Sequence, residues 1–200
     1  MTKIHVALCV LGMTGLAAAQ HTPSNDKWQS MFDGKTLKGW QALPTSKPPA
    51  DGNWSVQNGA ILCPGTTPGW LSSDATYSDF HLKLQFRGDA KVNSGVFLRS
   101  QKTGQPHITG YELQIWDYQP AGYNTGSLVN TVKAPPVKIR GDQWNDYDIT
   151  AIGDHYVIVL NGAPLLDAHD SAHLSGTIGF QCQVDNKIEF RNIQIMPIRH

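Results

Sequence analysis

Residues 110–117 read GYELQIWD. In an extended chain alternate side chains share a face. Glu112, Gln114 and Trp116 therefore stand in one row, and Tyr111, Leu113 and Ile115 in the other. The second row is a core face. The first combines a carboxylate, a primary amide and an indole. Carboxylate and amide bond hydroxyl groups, and an indole covers the apolar C–H face of a pyranose. Those side chains together suit a saccharide. A second stretch, NSGVFLRS at 93–100, repeats the pattern, with Val96 and Leu98 on one face and Gly95, Phe97 and Arg99 on the other. The turn residues Gly104, Pro106 and Gly110 between the two runs allow them to pair as neighbouring strands. Pairing places Arg99 and Phe97 beside Glu112 and Gln114, with Gly95 leaving room for a ligand. The plain alternative is a solvated face, on which Glu112 and Arg99 form a cross-strand ion pair and Trp116 is a partly buried anchor.

Other candidates are more isolated. His107 lies just before the Glu112 strand and suits either a proton shuttle or a surface loop. Asp117 ends that strand, where an acid, a calcium ligand or a turn cap would each fit. Asn124, Thr125 and Gly126 are placed to line the mouth of a cleft. His169 and His173 are four apart, a spacing that holds a metal only on a helix; in HDSAH, a loop, they read as solvated. The chain has no G-x-S-x-G, P-loop or H-E-x-x-H pattern. No cofactor follows from these residues; a divalent metal, calcium or similar, is left open.

The elements that must hold these groups read as strands. Short apolar runs alternate with turn signals from about Trp28 onward, and no segment keeps a helical period over three turns. FHLKLQFRG alternates Phe80, Leu82, Leu84 and Phe86 against His81, Lys83, Gln85 and Arg87. Asn58-Gly59, Gly153-Asp154 and Asn161-Gly162 are hairpin turns between such runs. GTIGFQCQV and IEFRNIQIMPI close the chain, and 117–143 reads as one long loop. The series predicts an all-β domain of two antiparallel sheets, a sandwich or jelly roll.

Composition agrees, with many glycines and aromatics and few charges. Sixteen Lys and Arg balance sixteen Asp and Glu without a charged block, which argues against nucleic acid as a partner. Behind Lys3 an apolar run extends from Ile4 to about Ala18 and closes in AAAQ at 17–20, the pattern of a secretory signal peptide, residues 1–19, cut after Ala19. The domain expected is residues 20–200, secreted or periplasmic, with no membrane association after cleavage. It keeps two cysteines, Cys63 and Cys182, for which one bridge and two separate buried thiols are level readings.

The ordered series MFDGKTLKGW, YSDFHLKLQFR, NSGVFLRS, GYELQIWD, TGSL, QWNDYDI, LNG, GTIGFQ and EFRNIQI resembles the 3-keto-disaccharide hydrolase domain family over about Trp28 to Ile198. The resemblance implies a concanavalin A-like jelly roll with a sugar-binding face, and a small saccharide or glycoside as partner. It implies cleavage of 3-keto-glycosides by base-catalysed elimination and hydration, a net hydrolysis. It marks Arg99, Glu112, Gln114 and Asp117 as pocket residues. The alternation, and not the resemblance, then assigns roles: Glu112 as base or orienter and Arg99 as stabiliser of the developing oxyanion, with Asp117 a third catalytic group. Gln114, Trp116, Phe97, Asn93, Gln181 and His107 are then expected to bind substrate. Members often carry a histidine soon after the GTIGFQ-like motif, where this chain has Cys182 and Gln183. That departure favours a non-catalytic carbohydrate-binding module of the same fold. A retaining glucanase fits poorly, because Glu112 and Asp117 fall on opposite faces of one strand.

Overall fold

The computed structural model describes residues 27–45 and 51–199. The expected signal peptide and residues 46–50 lie outside the described residues. In chain order the elements are β1 (Gln29–Ser30), β2 (Trp40–Leu43), β3 (Ser55–Gln57), β4 (Ala60–Cys63), β5 (Gly69–Tyr77), β6 (Phe80–Gly88) and β7 (Ser94–Ser100). A short helix α1 (Pro106–Thr109) leads to β8 (Tyr111–Ile115). Then follow β9 (Asn145–Ile152), β10 (His155–Leu160), β11 (Ala163–His169), β12 (Gly176–Cys182) and β13 (Ile188–Pro197).

The strands form two packed antiparallel sheets. One runs β11-β10-β9-β6-β13-β4-β3, with β1 added to β13; the other runs β2-β5-β12-β7-β8. Local chemistry sets the hairpins. Asn58 and Gly59 both have positive φ, as do Asn161 and Gly162, the backbone a two-residue hairpin turn requires. In β6, Phe80, Leu82, Leu84 and Phe86 are buried. They pack in one core with Val96, Leu98, Leu113 and Ile115 of the other sheet. Each such side chain contributes about 1.5–3 kcal/mol when fully buried, so a face that alternates cleanly has one stable orientation.

The two cysteines are bonded, with Cα atoms 5.6 Å apart. The bridge joins β4 of one sheet to β12 of the other, across 119 residues of sequence. Among the described residues, no helix is long and apolar enough to cross a membrane.

Candidate functional site

The register of the five-stranded sheet gathers the polar row. Gly95 pairs with Gln114, and Phe97 with Glu112, between β7 and β8. Phe97 also faces Gly179 of β12, and Gln181 faces Trp70 of β5. Directly paired residues share a face. Glu112, Gln114, Phe97, Gln181, Trp70 and Ser72 thus stand together on the outside of this sheet. Val96, Leu98, Leu113, Ile115, Ile178 and Phe180 point into the core.

At the centre is Glu112, only 5% exposed. Its Oε1 accepts a hydrogen bond from Gln181 Nε2 at 2.9 Å. Burial pushes the Glu112 carboxyl up to about 7, partly offset by that hydrogen bond. Gln181 Oε1 is buried without a hydrogen-bond partner, so the pair presents an unused acceptor beside a carboxyl that titrates near neutrality. Gln114 Oε1 accepts from Ile115 N at 3.1 Å, which leaves its NH₂ group to donate. Phe97 is buried but outside the main core. With Trp70, Ser72, Pro106, Thr177 and Gly179 it lines a narrow crevice on the same face. Larger hollows lie elsewhere, and in one of them the lining polar groups are partly paired with one another, as in Lys83–Asp148 and Gln85–Asp146.

Gly95 has a different use from the one expected. A Cβ at Gly95 would come within 2.7 Å of Glu112 Oε1 and 2.8 Å of its Cγ. The glycine makes room for the carboxyl itself rather than for a ligand.

Arg99 is not on this face. On β7 Leu98 and Arg99 together oppose the single residue Ile178 of β12, because Phe97 pairs with Gly179 and Ser100 with Thr177. Two residues against one is a β-bulge, and Arg99 has φ +54. Alternation slips by one, and the guanidinium turns inward, fully buried. It donates to Ser78 O, Gly153 O, Tyr156 Oη and His173 O, and pairs with Asp79 at 3.1 Å. Both the oxyanion-stabilising position and the Glu112–Arg99 ion pair are therefore corrected: Arg99 binds the two sheets together at one end of the core.

Asp117 is also engaged elsewhere. Its Oδ1 accepts from Thr125 Oγ1 at 2.6 Å and its Oδ2 from Ile139 N at 3.0 Å. The carboxylate braces the long loop, and Thr125 is buried behind it rather than lining a cleft mouth. Trp116 is half-buried just past β8, and its carbonyl accepts from Thr125 N. Asn93 precedes β7 and donates its backbone N–H to Asn186 Oδ1 at 2.6 Å. His107 lies on α1, half-buried, with its pKa lowered by burial. Its neighbour Pro106 accepts from Ser100 Oγ. Trp70, Ser72 and Thr177 were not singled out from the sequence. GWLSSDATY alternates, but Ser, Asp and Ala are poor strand formers, so β5 carries a weak signal.

Comparison with known proteins gives one family and one fold. The family model described as the 3-keto-alpha-glucoside-1,2-lyase-like domain matches residues 27–196. No curated protein sequence matches the chain. Two solved structures of predicted glycosyl hydrolases from Parabacteroides distasonis ATCC 8503 are similar. The first has TM-score 0.73 at 20% identity, covering 86% of this chain and 94% of its own. The second has TM-score 0.69 at 23% identity, covering 86% and 100%. The carbohydrate-binding module CBM66 of Bacillus subtilis has TM-score 0.60 at 18% identity, covering 79% and 95%. At these identities the likeness is one of fold, a concanavalin A-like jelly roll.

Proposed function

Because the chain belongs to the 3-keto-alpha-glucoside-1,2-lyase-like domain family, we propose that it is a carbohydrate-active enzyme that cleaves 3-keto-glycosides, with Glu112 as the base. The observation that supports this reading most is the Glu112 carboxyl itself. It is buried on the outer face of the sheet, raised to about 7, and hydrogen-bonded to one uncharged side chain. A base poised near the working pH is the most effective.

The chemistry needs one such group. A ketone at C3 acidifies the C2–H bond. Glu112 takes that proton, and the C–H electron pair enters an enolate whose charge sits on the C3 oxygen. Collapse of the enolate restores the C3 carbonyl, forms a C1=C2 double bond and expels the C1 substituent with the C1–O electron pair. The proton on Glu112 passes to the leaving oxygen. Water then adds across C1=C2, hydroxyl to C1 and proton to C2, so the sum is hydrolysis. With Arg99 turned into the core, the donor to the C3 oxygen is assigned to the free NH₂ of Gln114. Asp117, held as a brace, takes no step. A retaining glucanase is set aside, since it requires a second carboxylate about 5–5.5 Å from the first. Asp117, just past the end of the same strand, is the carboxylate that would have to serve, and it is held by Thr125 and Ile139.

The second reading, a non-catalytic saccharide-binding module, is favoured by one feature: Cys182 is taken up in the bridge where relatives often have a histidine close by. Incubating the protein with a 3-keto-glucoside and with the unoxidised glucoside separates the two. Release of aglycone from the keto sugar alone is the result expected; binding without release selects the module. We also propose export, supported by the apolar N-terminus and by the Cys63–Cys182 bridge, a bond that persists in oxidising compartments.

A further inference from the structure

On the far side of the sandwich, β10 and β11 carry a second cluster. His155 and His169 are direct cross-strand partners. Their rings stack 4.4 Å apart and only 4° from parallel. Asp167 faces Val157, two residues along on the same face, and its Oδ1 lies 2.8 Å from His155 Nε2. One ligand atom from each of His155, Asp167 and His169 lies within 4.8 Å of the others. A fourth group supports them: Asp154, in the β9–β10 turn, sits 3.2 Å from His169 Nδ1.

We propose that His155, Asp167 and His169 form a binding site for a divalent transition-metal ion of the Zn²⁺ class. The donors are two imidazoles and one carboxylate, a set that suits Zn²⁺, Ni²⁺ or Cu²⁺ rather than Ca²⁺ or Mg²⁺. Zn–N bonds of about 2.0–2.1 Å put tetrahedral ligands roughly 3.3 Å apart. The three atoms need only close from 4.8 Å, and the side chains that must tilt are at the surface. Holding Nδ1 of His169 on Asp154 leaves Nε2 for the ion, the carboxylate–histidine–metal arrangement that orients ligands in built sites. Three protein ligands leave a fourth position for water or a group from another molecule. Bound there, the ion ties the β9–β10 turn side of the hairpin to the end of β11, an edge strand. This cluster is on the outside of the eight-stranded sheet, whereas Glu112 is on the outside of the five-stranded sheet. The ion therefore has no part in the chemistry proposed above.

The test uses tag-free full chain, stripped with chelator, titrated with Zn²⁺ by calorimetry and with Co²⁺ by visible absorption. One ion per chain is expected, with the Co²⁺ bands of four-coordination. His155→Ala and His169→Ala should each weaken Zn²⁺ binding at least ~10-fold, and Asp154→Asn by about 10–100-fold. His81→Ala, on the same sheet but outside the cluster, should leave it unchanged. Wild type binding no tighter than the His155→Ala/His169→Ala double variant overturns the site, as does an equal loss in His81→Ala. If a variant fails to match the metal-free unfolding temperature of wild type, the wild-type Co²⁺ spectrum decides, and absence of the four-coordinate bands overturns the proposal.

Discussion

Replacing Glu112 by Gln should separate stability from chemistry in a pH-dependent way. The folded chain raises this carboxyl from 4.5 to about 7, chiefly by burial. One unit is worth about 1.4 kcal/mol, so ionising Glu112 in place costs about 3 kcal/mol relative to ionising it in the unfolded chain. The folded state holds the proton more tightly. Its stability is therefore undiminished below pH 4.5, declines as pH rises, and levels off above about 7. Glutamine never ionises and keeps the acceptor for Gln181 Nε2. Urea unfolding should show the two proteins level near pH 4, with the variant ahead by about 3 kcal/mol at pH 8. In the same variant, turnover of a 3-keto-glycoside should fall at least ~10²-fold. Wild-type kcat/KM should climb with pH and reach its plateau above about 7. A stability gap that does not change with pH refutes the buried-acid argument. Full turnover in Glu112→Gln refutes the base.

Three further variants test the supporting structure. Gly95→Ala places a methyl group 2.7 Å from Glu112 Oε1. It should cost about 1–3 kcal/mol by overpacking and lower turnover further than that loss of folded protein explains, read as specific activity at a temperature well below unfolding. Arg99→Met removes the buried cation paired with the Asp79 carboxylate, which still accepts from Gly153 N, and the donor to the carbonyls of Ser78 and Gly153. Breaking such a buried pair costs about 3–5 kcal/mol, measured by denaturant unfolding, and protein that remains folded should keep its turnover. The Cys63→Ala/Cys182→Ala double variant frees a 119-residue separation. It should lose about 2–5 kcal/mol, and an equal midpoint for both proteins would contradict a role for the bridge in stability.

The parts of this protein legible in its sequence are those set by neighbours along the chain. β6 alternates because each strand residue faces opposite to the next, and Asn58-Gly59 and Asn161-Gly162 turn because those residues accept positive φ. The same rule was enough to put Glu112 and Gln114 on one face, and Gly95 and Phe97 on one face. The bulges are different, since they belong to the pairing of two strands and no single strand announces them. On β7 a bulge against β12 sends Arg99 into the core instead of toward Glu112. On β11 the hairpin starts in register at Leu160↔Ala163, which if continued would set His155 against Ala168. The shift beyond Val159↔Pro164 adds one residue and brings His169 opposite His155 instead. The pairing of Cys63 with Cys182 and the room that Gly95 leaves for a carboxyl on the next strand have the same origin. Each depends on how closely two distant segments approach, a distance that only packing of the whole sandwich sets.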